Sequence, residues 1–446
     1  MNWLIENIEK KGLQTAIVFN EREYSYLQLA FRINDFYQEI GCTIPQGSIV
    51  SIVSDYSFEA ISLFFALQRN KNIIVPITTK INFEIEERQN IAGCNYTLYI
   101  ENQKVIIKKK EVSGSDHELI AQLRKKNSSG LILFSSGSTG KPKAMIHDLD
   151  NLIDSFKDKK GKNLVFLIFL MFDHIGGLNT LLNCLSMGVT MVFPTNRDPE
   201  HVCTLIEKYK INILPASPTF LNLILISECY QKYDLSSLRM ITYGTEPMPN
   251  SLLLKLKDVF TRVKFLQTFG TSETGISQTS SQSSTSTFIK IEDPNTEYKI
   301  IDGELWIRTK TQILGYLNSS MERFTDDGWF KTGDLVEEIE DGYIKIVGRN
   351  SEIINVGGEK VLPSEVESVL FQMPEISDCT VFGETNPITG QIVVARVMFS
   401  ENIKASEIKR KITGFCMNKL ERYKIPAKII LMTKSEFSDR YKKRRI

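Results

Sequence analysis

LILFSSGSTGKPK, residues 131–143, runs three apolar residues and a phenylalanine into a turn of Gly, Ser and Thr that closes on two lysines flanking a proline. The apolar start reads as a strand. A strand that feeds such a turn exposes backbone N–H groups and hydroxyls able to wrap phosphate oxygens, and Lys143 supplies compensating charge. The pattern GxxxxGK[ST] of a Walker loop does not fit, because Ser135 holds the first glycine position and Pro142 stands where Ser or Thr is required. Taken alone, the segment also reads as a plain glycine-rich surface turn. The flanking chain has to decide.

Upstream, from Gly47 onward, the β-rich runs SIVSIV and IIVPI alternate with the helix-like SFEAISLFFALQRN, the pattern of a parallel sheet covered by helices. Downstream, LVFLIFLMF, LNTLLNCLSMGV, MVFP, HVCTLIEKYK and INILPAS repeat that alternation. The fold class is α/β. The stretch SQTSSQSSTSTF, residues 277–288, is nearly pure Ser, Thr and Gln and is predicted to be a surface loop. ELWIR, DGWF and DGYIKIVG then predict short strands joined by Asp-Gly turns. The last hundred residues alternate helix and strand as a compact α+β unit. The expected organisation is a large α/β unit with a β-rich part, residues 1–349, and a small mobile α+β lid, residues 350–446.

Composition excludes several classes. Of 446 residues, 42% are hydrophobic and 24% charged, as in soluble globular enzymes. Lys plus Arg, 54, balances Asp plus Glu, 53, so no global field recruits nucleic acid or an anionic membrane. MNWLIENIEKKG lacks the apolar core of a secretory signal, and the apolar run at 164–172 is too short for a membrane helix. The seven cysteines are scattered without a CxxC pair. That argues against a disulfide framework or structural zinc and fits a reducing cytoplasm.

Further motifs join the loop in order: FDHIGGLNTLL (172–182), YGTEPMP (243–249), QTFGTSETG (267–275), DGWFKTGDL (327–335), VGRNSEIINVGGEKV (347–361) and YKIP (423–426). Together they resemble the adenylate-forming superfamily of acyl-CoA and aryl-CoA synthetases, peptide-synthetase adenylation domains and beetle luciferases, over essentially the whole chain. The resemblance implies an ATP- and Mg²⁺-dependent ligase that converts a carboxylic acid to its acyl-adenylate. The acyl group then passes to a thiol, that of CoA or, alternatively, of the phosphopantetheine arm of a carrier protein. A catalytically silent AMP-binding protein is the alternative from another class. No carrier domain is expected after Ile446, and no nucleic-acid or membrane partner.

Residue by residue, the resemblance assigns Ser135, Ser136, Gly137, Ser138, Thr139, Gly140 and Lys143 to the phosphates. Gly244, Thr245, Glu246, Phe269, Gly270 and Ser272 are assigned to the nucleotide. Glu273 is the expected Mg²⁺ ligand, since a carboxylate suits an ion shared with nucleotide phosphates; standing alone, it would be a solvated loop residue. Phe269 stands where an adenine-stacking Tyr is common, with core packing as its other reading. Asp334 would accept the ribose hydroxyls, with an ordinary turn aspartate as the alternative, and Arg349 would contact ribose and phosphate. His174, Tyr243, Gly244, Thr268, Gly270 and Thr271 are expected around the acid, although a lone His is often a satisfied core residue. Gly357 and Gly358 would line the thiol tunnel, where only glycine lets a backbone approach so closely.

The C-terminal SDRYKKRRI brings Lys442 to the position of the family's adenylation lysine, which would neutralise charge in the transition state. Lys443 stays a live alternative, and a solvated basic tail is the bland one. Asp173 lies one step from the place where peptide-synthetase domains pair a substrate ammonium, so an acid without an α-amine is expected, aromatic or medium aliphatic. The chain departs from the pattern at Ala144 and Tyr441, where glycines are usual, at Ser351 in the hinge, and in a shortened segment after Gly275.

Overall fold

The computed structural model describes residues 3–101, 103–110, 117–136, 141–400, 405–438 and 441–443. Two seven-stranded sheets form its large part. One runs Lys264–Gln267, Met240–Tyr243, Ile213–Ala216, Val165–Leu167, Thr190–Phe193, Thr15–Phe19 and Arg22–Ser25, parallel except for the last pair. The other runs Gly315–Tyr316, Pro142–Asp148, Gly130–Ser136, Ile73–Ile77, Ile49–Val53, Tyr96–Glu101 and Lys104–Lys109, parallel at its centre and antiparallel at both edges.

The helix Phe58–Arg69 explains how two sheets share one core. Every residue from Phe58 to Gln68 is buried, and its side chains join one apolar cluster with residues of both sheets, such as Ile17, Met191, Val50 and Leu133. A helix mostly apolar on every side is stable only when enclosed, and Ser57 starts it by accepting the Ala60 N–H.

A six-stranded antiparallel sheet follows, in the order Thr279–Ser281, Ile289–Ile291, Tyr343–Arg349, Phe330–Ile339, Glu304–Thr309 and Thr296–Ile301. The C-terminal part has its own sheet, in which Ile376–Asn386, Gly390–Phe399 and Lys428–Leu431 pack against the helices Pro363–Leu370 and Ala405–Met417. Among the described residues no helix is long and apolar enough to cross a membrane. All seven cysteines are free thiols, and six of them are buried.

The Ser/Thr-rich run corrects the sequence reading. It is no free loop: Thr279–Ser281 is a strand, and the run covers the open edge of the strand Lys264–Gln267 with hydroxyls instead of a backbone ladder. The Gln267 N–H donates to Ser281 Oγ (3.0 Å), the Phe265 N–H to Ser284 Oγ (3.2 Å), and Thr279 Oγ1 donates to the Gln267 carbonyl (2.6 Å). An edge strand left bare is a liability that proteins cover, and short hydroxyl side chains satisfy its polar groups at close range. Thr279→Val strands the buried Gln267 carbonyl and is expected to destabilise the fold by about 1 kcal/mol. The shift should appear in the urea midpoint without a change in slope, and Thr279→Ser should restore it.

Candidate active site

The strand Gly130–Ser136 pairs antiparallel with Pro142–Asp148, with Ser135 opposite Lys143 and Ser136 opposite Pro142. The predicted contacts Gly137, Ser138, Thr139 and Gly140 lie outside the described residues. Lys143 therefore sits at the base of the turn, its ammonium 5.8 Å from the Tyr316 ring centroid, within cation–π range. Tyr316 comes from the neighbouring edge strand, paired with Met145. Beside it, the Asn318 amide replaces strand pairing, accepting the Ala144 N–H (2.9 Å) and donating to the Pro142 carbonyl (2.9 Å). Ala144, where glycine is usual, is thereby held in the sheet without needing glycine's freedom.

The Tyr316 hydroxyl donates to Glu273 Oε1 at 2.9 Å, and burial first, then the Glu273 charge, pushes the phenol above its ordinary range. Glu273 stands at the tip of the hairpin Phe269–Thr271 and Gly275–Ser277, where Thr271 Oγ1 accepts the Glu273 and Thr274 N–H groups. The hairpin is tight enough that a Cβ on Gly270 would fall 2.3 Å from the Gly275 carbonyl oxygen. The other antiparallel sheet presents Asp334 opposite Arg349, joined from Arg349 Nε to Asp334 Oδ1 at 2.8 Å. Burial raises the Asp334 carboxyl above its ordinary value against the pull of Arg349, and the same ion pair raises Arg349. The Glu273 charge is felt at both groups, so these three and Lys143, through Tyr316, form one electrostatic cluster.

Between them, Gly244 cannot carry a side chain, since its Cβ would lie 2.8 Å from the Thr268 carbonyl oxygen. Thr268 returns its N–H and hydroxyl to the Tyr243 carbonyl. Thr245 is strained: a β-branched residue at φ +76° costs roughly 1–3 kcal/mol, and its buried hydroxyl has no hydrogen-bond partner. Two rings expected at the ligands pack in the interior. Phe269 belongs to the core of the antiparallel sheet and Tyr243 to that of the first parallel sheet, where burial raises its phenol.

His174 caps the helix Ile175–Met187, its Nδ1 accepting the Gly176 N–H at 3.0 Å, which in the neutral ring leaves the proton on Nε2. A Cβ on Gly177 would collide with the Met171 carbonyl oxygen at 2.2 Å, so the glycine lets the helix start press on the loop that follows Val165–Leu167. The His174 ring lines a cavity with Phe169, Leu170 and Met171. Arg197 lines it too, held by Asp55 (2.8 Å) and the Phe169 carbonyl (2.6 Å). Asp173 instead meets Arg88 at 3.9 Å.

The remaining wall is the C-terminal tail: Tyr441 and Lys442 line this cavity. Ser217 Oγ donates to the Tyr441 carbonyl (2.6 Å), and the Lys443 N–H donates to Glu246 Oε2 (3.1 Å). The Lys443 ammonium pairs with buried Glu367 at 3.1 Å. The two candidate lysines are thus separated by geometry, Lys442 towards the cavity and Lys443 into the C-terminal part. Tyr441, where glycine is usual, has a left-handed backbone, φ +52°. Gly357 and Gly358 form the two-residue turn between Ile354–Val356 and Glu359–Val361, at φ +61° and +95° with open space around each Cβ position. Their glycine requirement there is conformational rather than one of close approach.

Sequence reasoning missed Tyr316, Arg197 and Asp55, each of which acts through partners distant in the chain. It also passed over His147, fully enclosed with the backbone of Ser272 and Thr311 beside its ring. Burial pushes His147 down to about 4 from 6.5. Between those values the unfolded chain binds the extra proton, so stability falls as pH drops through that window, by up to about 1.4 kcal/mol per pH unit. Denaturation midpoints at pH 7 and pH 5 should show that slope, flattened in His147→Phe.

Residues 4–317 match the AMP-binding enzyme family, and residues 365–437 match the AMP-binding enzyme C-terminal domain. Indoleacetate–CoA ligase of Aromatoleum aromaticum is 26% identical across 96% of this chain and 93% of its own. 2-Succinylbenzoate–CoA ligase of Enterococcus faecalis is 25% identical across 96% and 94%. Among solved structures, the anthranilate CoA ligase AuaEII in complex with anthranoyl-AMP superimposes with a TM-score of 0.82 at 21% identity, covering 98% of this chain and 94% of that one.

Proposed function

This chain belongs to the AMP-binding enzyme family, and from that premise we propose that it is an ATP-dependent acid–thiol ligase acting through an acyl-adenylate. The observation that carries the reading is the placement of Lys442 in one cavity with His174, on a tail anchored to the large part of the chain by Ser217 and Glu246. In the first step a carboxylate oxygen attacks the α-phosphorus of ATP and pyrophosphate leaves. Lys442 meets the charge that develops between carboxylate and phosphate, and Lys143 that on the leaving phosphates. Asp334, fixed by Arg349, receives the ribose, and Arg349 supports the neighbouring phosphate. In the second step a thiol attacks the acyl carbonyl and AMP leaves.

Mg²⁺ fits this donor set as a shared ion. The described residues contain no cluster of three or more metal-binding side chains, so no all-protein cage exists, but a single carboxylate beside a phosphate loop suits an ion held largely by nucleotide oxygens. Glu273 would hold it, oriented by the Tyr316 hydroxyl. Bound there, Mg²⁺ would neutralise charge on the phosphates.

We take residues 1–349 and 350–446 as the two units, hinged near Ser351, with Gly357 and Gly358 towards the thiol. The acceptor is CoA, in keeping with the relatives' names, with a carrier-protein arm as the second choice. Indoleacetate, 2-succinylbenzoate and anthranilate are all aromatic acids, which favours an aromatic acid here. Asp173, engaged with Arg88, gives no reason to require an α-amine. Free cysteines throughout fit the cytoplasm.

The test is acid-dependent exchange of labelled pyrophosphate into ATP across a panel of aromatic and aliphatic acids, followed by thioester analysis with CoA. Lys442→Ala should lower exchange by about 10²-fold or more while supplied acyl-adenylate is still converted to thioester. Exchange with no acid would leave an AMP-binding protein without ligase activity. Normal exchange by Lys442→Ala would remove the catalytic role of that lysine.

A further inference from the structure

Tyr441 sits where backbone strain has to be offset by its side chain. At φ +52° a residue with a Cβ carries strain that glycine would avoid. The ring is held on three sides. Its centroid lies 5.4 Å from Phe169, 5.4 Å from Phe220 and 4.8 Å from Phe437, the last in a stacked arrangement. Phe169 and Phe220 are themselves 4.1 Å apart. The backbone is pinned as well, by Ser217 Oγ at the Tyr441 carbonyl and by the Tyr441 N–H to the Ser438 carbonyl at 2.8 Å. This ring and the next side chain, Lys442, line the same cavity as Phe169, Met171 and His174.

We propose that Tyr441 is a specificity-determining wall of the acyl cavity, carried by the same tail that delivers the catalytic lysine. The proposal rests on the reading of this cavity as the acid site. Its physical content is a coupling between size selection and catalysis. An acid whose body fits beside the seated ring leaves the Phe169–Phe220–Tyr441 cluster intact, and Lys442 reaches the carboxylate. A longer or bulkier acid must displace the ring, and because Tyr441 and Lys442 are adjacent, it displaces the lysine too. Discrimination against large acids is then expressed in the turnover number of adenylation and not in KM alone, since the oversized acid binds without its transition-state partner. The size limit that follows is set by the seated ring, and extended acyl chains are rejected.

The experiment measures kcat and KM of pyrophosphate exchange for benzoic, phenylacetic, phenylpropionic and phenylbutyric acids and for the aliphatic acids from acetic to decanoic. Wild type, Tyr441→Phe, Tyr441→Leu and Tyr441→Ala are compared. A methylene gained or lost in an apolar pocket changes discrimination by tenfold or more. The expected result is a sharp fall of kcat with length in wild type and Tyr441→Phe. In Tyr441→Ala the limit should shift by one or more methylenes towards longer acids, raising their kcat/KM relative to the short ones by about tenfold or more. Tyr441→Leu should lie between, and it carries the comparison if the alanine variant does not fold. A uniform loss across all acids with unchanged ranking would overturn the proposal and leave Tyr441 as a docking residue, with the ligase reading intact. No exchange by wild type with any acid would overturn the ligase reading and this proposal together.

Discussion

The Glu246 carboxylate joins the two ends of the chain's chemistry. One oxygen accepts the Thr219 N–H at the start of the helix Pro218–Ser227 (2.8 Å), and the other accepts the Lys443 N–H of the tail (3.1 Å). A helix N-terminus is electropositive and leaves its first N–H groups unsatisfied, so a carboxylate there is stabilised where it stands and presents its second oxygen outward. Ser217 serves the same junction twice, since its hydroxyl accepts the Phe220 N–H and donates to the Tyr441 carbonyl. This junction, with the packing of Tyr441 on Phe169 and Phe220, fixes Lys442 relative to the large part of the molecule and supplies a wall of the cavity at His174.

Three of the cations near these segments are paired with carboxylates. Arg349 answers Asp334, Arg197 answers Asp55, and Lys443 answers Glu367. The buried members of these pairs would be costly if left alone. Asp334 shows the balance, because burial lifts its carboxyl while the Arg349 guanidinium pulls it back. Such a pair holds geometry in place for a ligand to exploit, and it gives little net stability of its own.

The fold class was legible because both large sheets are built from apolar runs that only burial explains, and the enclosed helix Phe58–Arg69 is mostly apolar and buried on every side. The strand Gly130–Ser136 and the short strands around Glu273 and Asp334 were legible as local elements. What could not be read was anything that depends on distant pairing. Tyr316 reaches Glu273 only because its strand adds to the edge of Pro142–Asp148. The Ser/Thr run looked like a loop because a polar composition is the same whether hydroxyls face water or a bare strand edge. Tyr243 and Phe269 were placed near the ligands by motif position, yet side-chain direction turns both into cores. Adjacent lysines are indistinguishable in composition, and what sets Lys443 apart is distant in the chain, its pairing with buried Glu367.

The departures from the family pattern support a last step. At Ala144 and Tyr441 a glycine's identity is lost while the local geometry is retained by other means. Ala144 is fixed by the Asn318 amide, and Tyr441 has a left-handed backbone at the expense of strain relieved by three aromatic neighbours. Gly244, Gly270 and Gly177 show the contrasting case, in which a Cβ would strike a carbonyl oxygen at 2.8, 2.3 and 2.2 Å and no neighbouring side chain can compensate. A glycine needed for its φ can be replaced when packing offsets the strain, whereas a glycine needed for close approach cannot. Tyr441, at φ +52°, is of the first kind, whereas Ala144 lies within the strand Pro142–Asp148 at a backbone open to any residue.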